Sequence, residues 1–462
     1  MRRAIRSRIG EFLWIRTALI AVAPVSCHGS AGNSQERGGV SAAPTSTGAA
    51  GAGTGGHNEG TGSGGLQSQG GTSFGGTSPK ASGASAATSG GTHAAPPDAS
   101  DSSLPDASLS ATDSPIAAAV THACAIVGGA VYCWGQNQFG QLGNGETTGS
   151  NSPVRVTGLS SDAQTISAGW RLSCSLVNGN AFCWGDSGSN SLTGSLTAVP
   201  VRGIPAAAQL LSAAGNTGFV VSNSALYGWG GDFAFVAAMN QNLESGVQSV
   251  ASGPCALVLG AAKCWGQNNV GQLGDGTAND SNVPVQVQGL ISGVTSIARG
   301  WMHACAVMNG TVYCWGDNTF GQLGHQPGSS SSDEICIRGV NPPGDYCNPL
   351  PTQVLGLPAG VQNVKAGTYH SCAMANGVAY CWGANAFGQL GDGSTANSYQ
   401  PVPVKGLTSV TDISAGAYPD PQGYDMTCAV ADGNIYCWGA NAYGQLGDGT
   451  TSDSAVPVKV QF

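Results

Sequence analysis

Twelve of the chain's fifteen cysteines fall into six pairs, each nine positions apart around a turn signal. In "CSLVNGNAFCWG", Cys174 and Cys183 flank Asn178-Gly179. Asn-Gly favours a type I′ hairpin turn, because both central residues need positive φ. Folding about that turn pairs Val177 with Asn180, Leu176 with Ala181, Ser175 with Phe182 and Cys174 with Cys183. The cysteines then occupy a non-hydrogen-bonded pair, with Cα atoms about 4.5 Å apart. A disulfide spans that distance. The same spacing joins Cys124 to Cys133, Cys255 to Cys264, Cys305 to Cys314, Cys372 to Cys381 and Cys428 to Cys437. The Leu259-Gly260 turn of the Cys255 pair is the weakest of the set. In one further unit, "FVVSNSALYGWG", Phe219 and Gly228 replace both cysteines together, as expected of a bonded pair.

Cys336 and Cys347 share one insertion and form a seventh candidate pair, which leaves Cys27 alone. A zinc site is the competing reading. It would need four ligands at compatible spacing, whereas each unit offers two cysteines and only three add a histidine: His122, His303 and His370. The histidines recur at one repeat position, which marks them as structural. Stapled hairpins imply an oxidising compartment.

The N-terminus agrees with export. Arg2, Arg3, Arg6, Arg8 and Arg16 precede the short apolar run "TALIAVAPVS", which ends at Cys27. Residues 1–27 read as a signal peptide, too short for a membrane span. "PVSC" resembles a bacterial lipoprotein signal, whose cysteine is acylated. Pro24 departs from that pattern, so ordinary cleavage nearby is the alternative. Residues 28–115 are rich in Gly, Ser, Thr and Ala, with Phe74 the only aromatic. Such a stretch buries too little apolar surface to offset the entropy of ordering, so a disordered tether is expected. The expected location is a bacterial cell envelope or surface, with any membrane contact made through a lipid anchor alone.

From 116 to 462 the chain is repeat. Trp-Gly recurs at Trp134, Trp184, Trp229, Trp265, Trp315, Trp382 and Trp438, at intervals of 50, 45, 36, 50, 67 and 56 residues. The fifth unit, "VTSIARGWMHACAVMNGTVYCWGDNTFGQLG", reads as strand A, a short loop, strand B, the hairpin turn, strand C and a Gly-rich loop. Strand D is the "xPVxV" segment. Four short strands with tight turns, repeated seven times, predict an all-β ring: a seven-bladed β-propeller of four-stranded blades. The Trp-Gly tryptophans are expected to pack between sheets. Whether the last strand completes the seventh blade or pairs with the first is left open.

The unit "GxVYCWGxNxxGQLGxGT" closely resembles the repeats of the regulator of chromosome condensation family, which form seven-bladed propellers. "NxxGQLG" is intact in five units and absent from the second, "GDSGSNSLTGS", and the third, "GGDFAFVAAMNQ". The family's founding member is a nuclear exchange factor for a small GTPase and binds chromatin. The exported compartment argues against carrying those roles over. So does charge: 116–462 holds nine Lys and Arg against eighteen Asp and Glu, which opposes phosphate-backbone binding. Neither nucleic acid nor a small GTPase is the expected partner. The family also contains plant ultraviolet receptors and secreted bacterial inhibitors of β-lactamase, which work through aromatic residues on one face.

In such a ring the A–B and C–D loops emerge on one side. Trp170 and Arg171 in "AGWRLSC" lie in an A–B loop, as do Trp301 and Met302 in "RGWMHAC". The tryptophans resemble the "GWRH" position of the ultraviolet receptors. Tyr369, and Tyr418 and Tyr424 in the "AYPDPQGYD" insertion, fall on the same side, as does the C–D insertion at 325–352. Trp, Tyr and Arg are the usual interface anchors, and variable loops on a rigid scaffold carry recognition. A protein ligand is the main expectation. A glycan-binding or glycan-processing propeller and a structural envelope component are the alternatives. Asp275, Asp392 and Asp448 each offer one carboxylate where calcium wants several oxygens, so they read as turn residues. No catalytic triad, distinct carboxylate pair, phosphate loop or cofactor motif stands out, and neither an enzyme nor a cofactor is expected.

Overall fold

The structure, a computed structural model, describes residues 115–188, 194–205, 208–230, 235–336, 346–418 and 424–462. The expected signal peptide, Cys27 and nearly all of the expected 28–115 tether lie outside them.

Seven antiparallel sheets follow one another along the chain, six of them meanders of four consecutive strands. Blade 1 comprises Ile116–Ala118, His122–Val127, Ala130–Gly135 and Ser150–Arg155. Blade 2 comprises Ala163–Ala168, Leu172–Val177, Asn180–Gly185 and Ser195–Pro200. Blade 3 comprises Leu210–Ala214, Thr217–Ser222, Ala225–Gly230 and a two-residue strand D, Ala238–Met239. Blade 4 starts at Val247–Val250 and ends at Ser281–Gln286. Blade 5 starts at Val294–Arg299, and its strand D is Tyr346–Gln353. Blade 6 starts at Val361–Ala366 and ends at Ser398–Pro403. Blade 7 starts at Val410–Ala415 and ends at Ser454–Lys459. Blade 5 departs from the four-stranded plan: the insertion adds Glu334–Ile335 as a fifth, edge strand on Tyr346–Gln353.

The hairpin registers match the turn-based reading, Val177 facing Asn180 and Cys174 facing Cys183. All seven B–C turns place both central residues at positive φ, including Asn178 at 50° and Gly179 at 72°. The six hairpin disulfides hold Cα atoms 4.0–4.1 Å apart, closer than expected. Cys336 bonds Cys347 with Cα atoms 5.7 Å apart. In blade 3, Phe219 faces Gly228 at the staple position, and a Cβ on Gly228 would lie 3.3 Å from the phenyl ring. The ring occupies the space that a second side chain would need.

The ring closes without strand exchange. The last strand completes blade 7 with its own neighbours, and the first begins blade 1. Side chains and loops join the two ends. Trp134 Nε1 donates to Gln445 O at 2.9 Å, and Asn151 Nδ2 to Gly449 O at 2.7 Å. Phe462 meets Trp134 edge-on at 5.9 Å.

The core is a series of inter-blade clusters. One joins Trp184 of blade 2 to Leu142 and Val156 of blade 1. "GQLG" explains this packing. Its last glycine seats the next blade's tryptophan, since a Cβ on Gly143 would come within 2.6 Å of the Trp184 indole. Blade 3 lacks that element, and Trp265 of blade 4 still packs against the cluster between blades 3 and 4 but stays half-buried, edge-on to Phe219 at 6.4 Å.

Candidate functional site

Between blades, buried polar chains converge on the Gln carbonyl of "GQLG". Trp184 Nε1 donates to Gln141 O at 2.9 Å, and Ser173 Oγ donates to the same oxygen at 3.0 Å. The Ser173 proton is thereby committed, so its oxygen accepts from His122 Nε2 at 2.8 Å. His303, Ser371 and Gln322 repeat the chain. Blade 4 supplies no histidine at this position. In its place Arg299 of blade 5 reaches back, its Nη1 donating to Gln272 O at 2.7 Å. Burial lowers His122 and His303 to a pKa of about 3. They are neutral, and Nδ1 of each is buried without a partner among the described residues. These histidines hold blades together.

At His370 the chain acquires an acid. Asp425 Oδ2 lies 2.8 Å from His370 Nδ1, and His370 Nε2 lies 2.8 Å from Thr427 Oγ1. The order is that of a nucleophile relay. It is sealed, however: all three side chains are buried, and Thr427 donates its proton to Gln389 O at 2.9 Å. A substrate has no path to that hydroxyl, and the arrangement is a structural bracket. Sequence reading missed the role of Asp425, because it lies outside the repeat position.

Asp275, Asp392 and Asp448 spend their carboxylates on turns. Asp275 Oδ1 accepts from the backbone N and the hydroxyl of Thr277, at 3.0 and 2.9 Å. Ser394 and Thr450 serve Asp392 and Asp448 alike.

The A–B and C–D loops share one face, and the candidate anchors gather there into clusters. Trp170 stacks on Tyr418 at 5.0 Å with planes 13° apart. The Arg171 guanidinium lies 3.7 Å from the Trp170 ring centre and 4.0 Å from that of Phe139, and pairs with Asp186 at 3.7 Å. Burial holds the Tyr418 phenol above its usual pKa, while the Arg171 charge pulls it down. Trp301 meets Tyr369 edge-on at 5.5 Å, and Phe320 meets the same tyrosine at 5.1 Å. Tyr424 contacts Phe387 at 5.2 Å and Tyr443 at 5.8 Å. All of these aromatics are half-buried. They form an arc over blades 5, 6, 7, 1 and 2.

Phe139, Phe320, Phe387 and Tyr443 were not singled out from the sequence. Their signal was present: the residue before the first glycine of "GQLG" is aromatic in four of the five intact units. Met302 is placed differently from the expectation. It is 5 % exposed and packs under the insertion against Val270 and the Cys336–Cys347 bond. A side chain beneath the loop supports it instead of contacting a partner. The insertion is further fastened by His325 Nε2 to Asp333 at 2.9 Å and by Asn348 Nδ2 to Ser332 Oγ at 2.7 Å.

Tyr418 also crosses the mouth of the ring. Its carbonyl accepts from Thr368 Oγ1 of blade 6 at 2.9 Å. Its ring lies against Gly215 of blade 3, where a Cβ would come within 2.6 Å. One blade-7 residue thus touches loops of blades 2, 3 and 6, which sets it across the ring axis.

The regulator of chromosome condensation (RCC1) repeat matches residues 128–176, 264–307, 309–374, 376–418 and 432–462, together just over half of the chain. The chain belongs to the RCC1 repeat family. The longest gap between matches, 177–263, contains both segments that lack "GQLG". The ultraviolet-B receptor UVR8 of Arabidopsis thaliana is 28% identical over 221 residues, 46% of this chain and 45% of the receptor. The human E3 ubiquitin-protein ligase HERC2 is 38% identical over 96 residues, 20% of this chain and 2% of the ligase. These alignments span less than half of each relative. Among solved structures, Prp20p of Saccharomyces cerevisiae superposes with a TM-score of 0.60 at 19% identity, covering 72% of this chain and 85% of that one. Human WBSCR16 gives 0.60 at 18%, covering 72% and 94%. Both are likenesses of fold.

Proposed function

We propose that this RCC1-repeat propeller is an exported, surface-tethered module that binds a protein ligand through its A–B/C–D face. The observation that carries the reading is the arc of half-buried aromatics with Arg171, set beside a disulfide-tied insertion on the same face. Rigid aromatic anchors lose little side-chain entropy on binding, and a cross-linked loop lowers the ordering cost further. Seven disulfides support an oxidising compartment. The acidic balance supports a partner other than a nucleic acid or a GTPase that docks on a basic surface. Binding, not catalysis, is the role assigned. The tether and Cys27 acylation complete the proposal: a single acyl chain holds weakly, so stable attachment needs the several chains of a lipoprotein.

The test compares wild type with Trp170→Ala and Trp301→Ala in pull-downs from envelope extracts and on glycan arrays. Capture of a defined protein that falls by about 2 kcal/mol in affinity for each variant, with unchanged melting temperature, supports the reading. Loss of stability without loss of affinity in both variants, or binding to glycans alone, ends it. Cys27→Ser should release the protein into the soluble fraction. A wild type that is already soluble and begins downstream of Cys27 removes the anchor.

A further inference from the structure

Leu259, Ile291 and Leu355 are the three most exposed large apolar side chains among the described residues, at 78%, 67% and 65%. All three lie in the B–C turns or D–A connections, on the side of the ring opposite the aromatic arc. Leu259 is in the blade 4 turn, Ile291 in the connection from blade 4 to blade 5, and Leu355 in the connection from blade 5 to blade 6. Hydrogen bonds join these segments into one sector. Val294 N donates to Gly260 O at 3.1 Å, Asn309 N to Gly293 O at 3.3 Å and Val361 N to Gly310 O at 3.3 Å.

Strain and charge set the sector apart. The other B–C turns open with Gly, Asn or Asp, whereas Leu259 holds φ 51° with a bulky side chain. Backbone strain kept at an exposed tip is a mark of function. The connections that precede blades 2, 3, 4 and 7 carry Asp162, Arg202, Glu244 and Lys405, whereas 287–293 and 354–360 carry no charge. The chain also enters the propeller on this side. Pro115 O accepts from Ile126 N at 2.9 Å, two residues before the Gly128-Gly129 turn. The junction with the N-terminal residues is thus on the face that carries Leu259, not on the face of the aromatic arc. A flexible chain of the length of 28–115 spans on the order of 50 Å. A domain anchored at Cys27 therefore meets its own lipid surface at about millimolar effective concentration, where a weak contact suffices.

We propose that this sector seats the propeller on the lipid surface to which it is anchored, with Leu259, Ile291 and Leu355 entering the headgroup layer and the aromatic arc turned outward to its ligand. The proposal rests on the anchored reading given above. An aliphatic sector without charge enters the interface without desolvating an ion. The acidic balance of the propeller keeps its other surfaces off an anionic leaflet.

The test couples the full chain through Cys27, the cysteine outside the seven pairs, to a maleimide lipid in vesicles of phosphatidylethanolamine and phosphatidylglycerol. Coupling supplies the anchor whether or not the cysteine is acylated in the cell, so the two readings fail separately. Hydroxyl-radical footprinting then compares coupled with free chain. Oxidation of Leu259, Ile291 and Leu355 should fall at least threefold on coupling, while Trp170, Trp301 and the strand D residue Val283 keep their rates. Leu259→Asn combined with Ile291→Ser should return Leu355 to its free rate. Asparagine suits the turn, so this loss of seating is not a loss of fold, and the melting temperature checks it. Equal rates for coupled and free chain, protection of the aromatic arc instead, or protection of Leu355 that survives the double variant overturns the proposal. So does a dimer of the free chain that the double variant dissolves, which would assign the sector to a second copy.

Discussion

Trp184 donates its indole N–H to the Gln141 carbonyl of the preceding blade at 2.9 Å. The same bond links Trp315 to Gln272, Trp382 to Gln322, Trp438 to Gln389 and, across the closure, Trp134 to Gln445. Trp229 breaks the series. Among the described residues its Nε1 is buried without a partner, and the sequence of blade 2 has "GDSGSNSLTGS" in place of the "GQLG" element. Replacing each tryptophan by phenylalanine separates hydrogen bonding from ring packing. Trp184→Phe should cost about 1 kcal/mol more than Trp229→Phe in denaturant unfolding. Equal costs would mean that the indole bond contributes nothing net.

The absent staple of blade 3 can be restored. Phe219 and Gly228 occupy the same register as the bonded cysteines elsewhere. Phe219→Cys with Gly228→Cys should oxidise to a bond, seen as two protons of lost mass. The stabilisation from closing so small a loop is at most about 2–3 kcal/mol, less the lost burial of the phenyl ring. Free thiols in the folded double variant would refute the register argument.

Acid should weaken the ring. His122 and His303 have pKa values of about 3 in the folded chain, well below the ordinary 6.5, because burial penalises the charged ring. The unfolded chain takes up protons as pH falls through 6.5, whereas the folded chain does so only near 3. Their contribution is therefore fully present above about pH 6.5 and declines below it, by about 1.4 kcal/mol per histidine per pH unit. Unfolding midpoints at pH 7 and pH 5 check this. His122→Gln should remove about half of the histidine slope.

The Leu259-Gly260 turn carries local strain. Leu259 sits at φ 51° and is 78% exposed. Asparagine tolerates that conformation better than leucine. Leu259→Asn should stabilise the chain by about 1 kcal/mol, read as a higher melting temperature with the disulfides intact.

What the sequence determined by itself was local and periodic. Asn-Gly and its variants fixed the hairpin registers, because a two-residue turn leaves one way to pair the flanking strands. The Cys174–Cys183 pairing followed from that register alone. Seven Trp-Gly units fixed the blade number, and the short A–B loops placed Trp170, Trp301 and Tyr369 on one face. Relations between blades were decided only by tertiary structure. Phe139 and Trp170 are 31 residues apart, and Thr368 and Tyr418 are 50. No turn or period specifies which of these side chains meet, since that depends on how sheets tilt and pack around the axis. Whether the first and last strands exchange, whether Met302 faces solvent or the underside of a loop, and whether Tyr418 reaches across the mouth all depend on closing the ring. Closure is a cooperative result of seven interfaces, which no single repeat encodes.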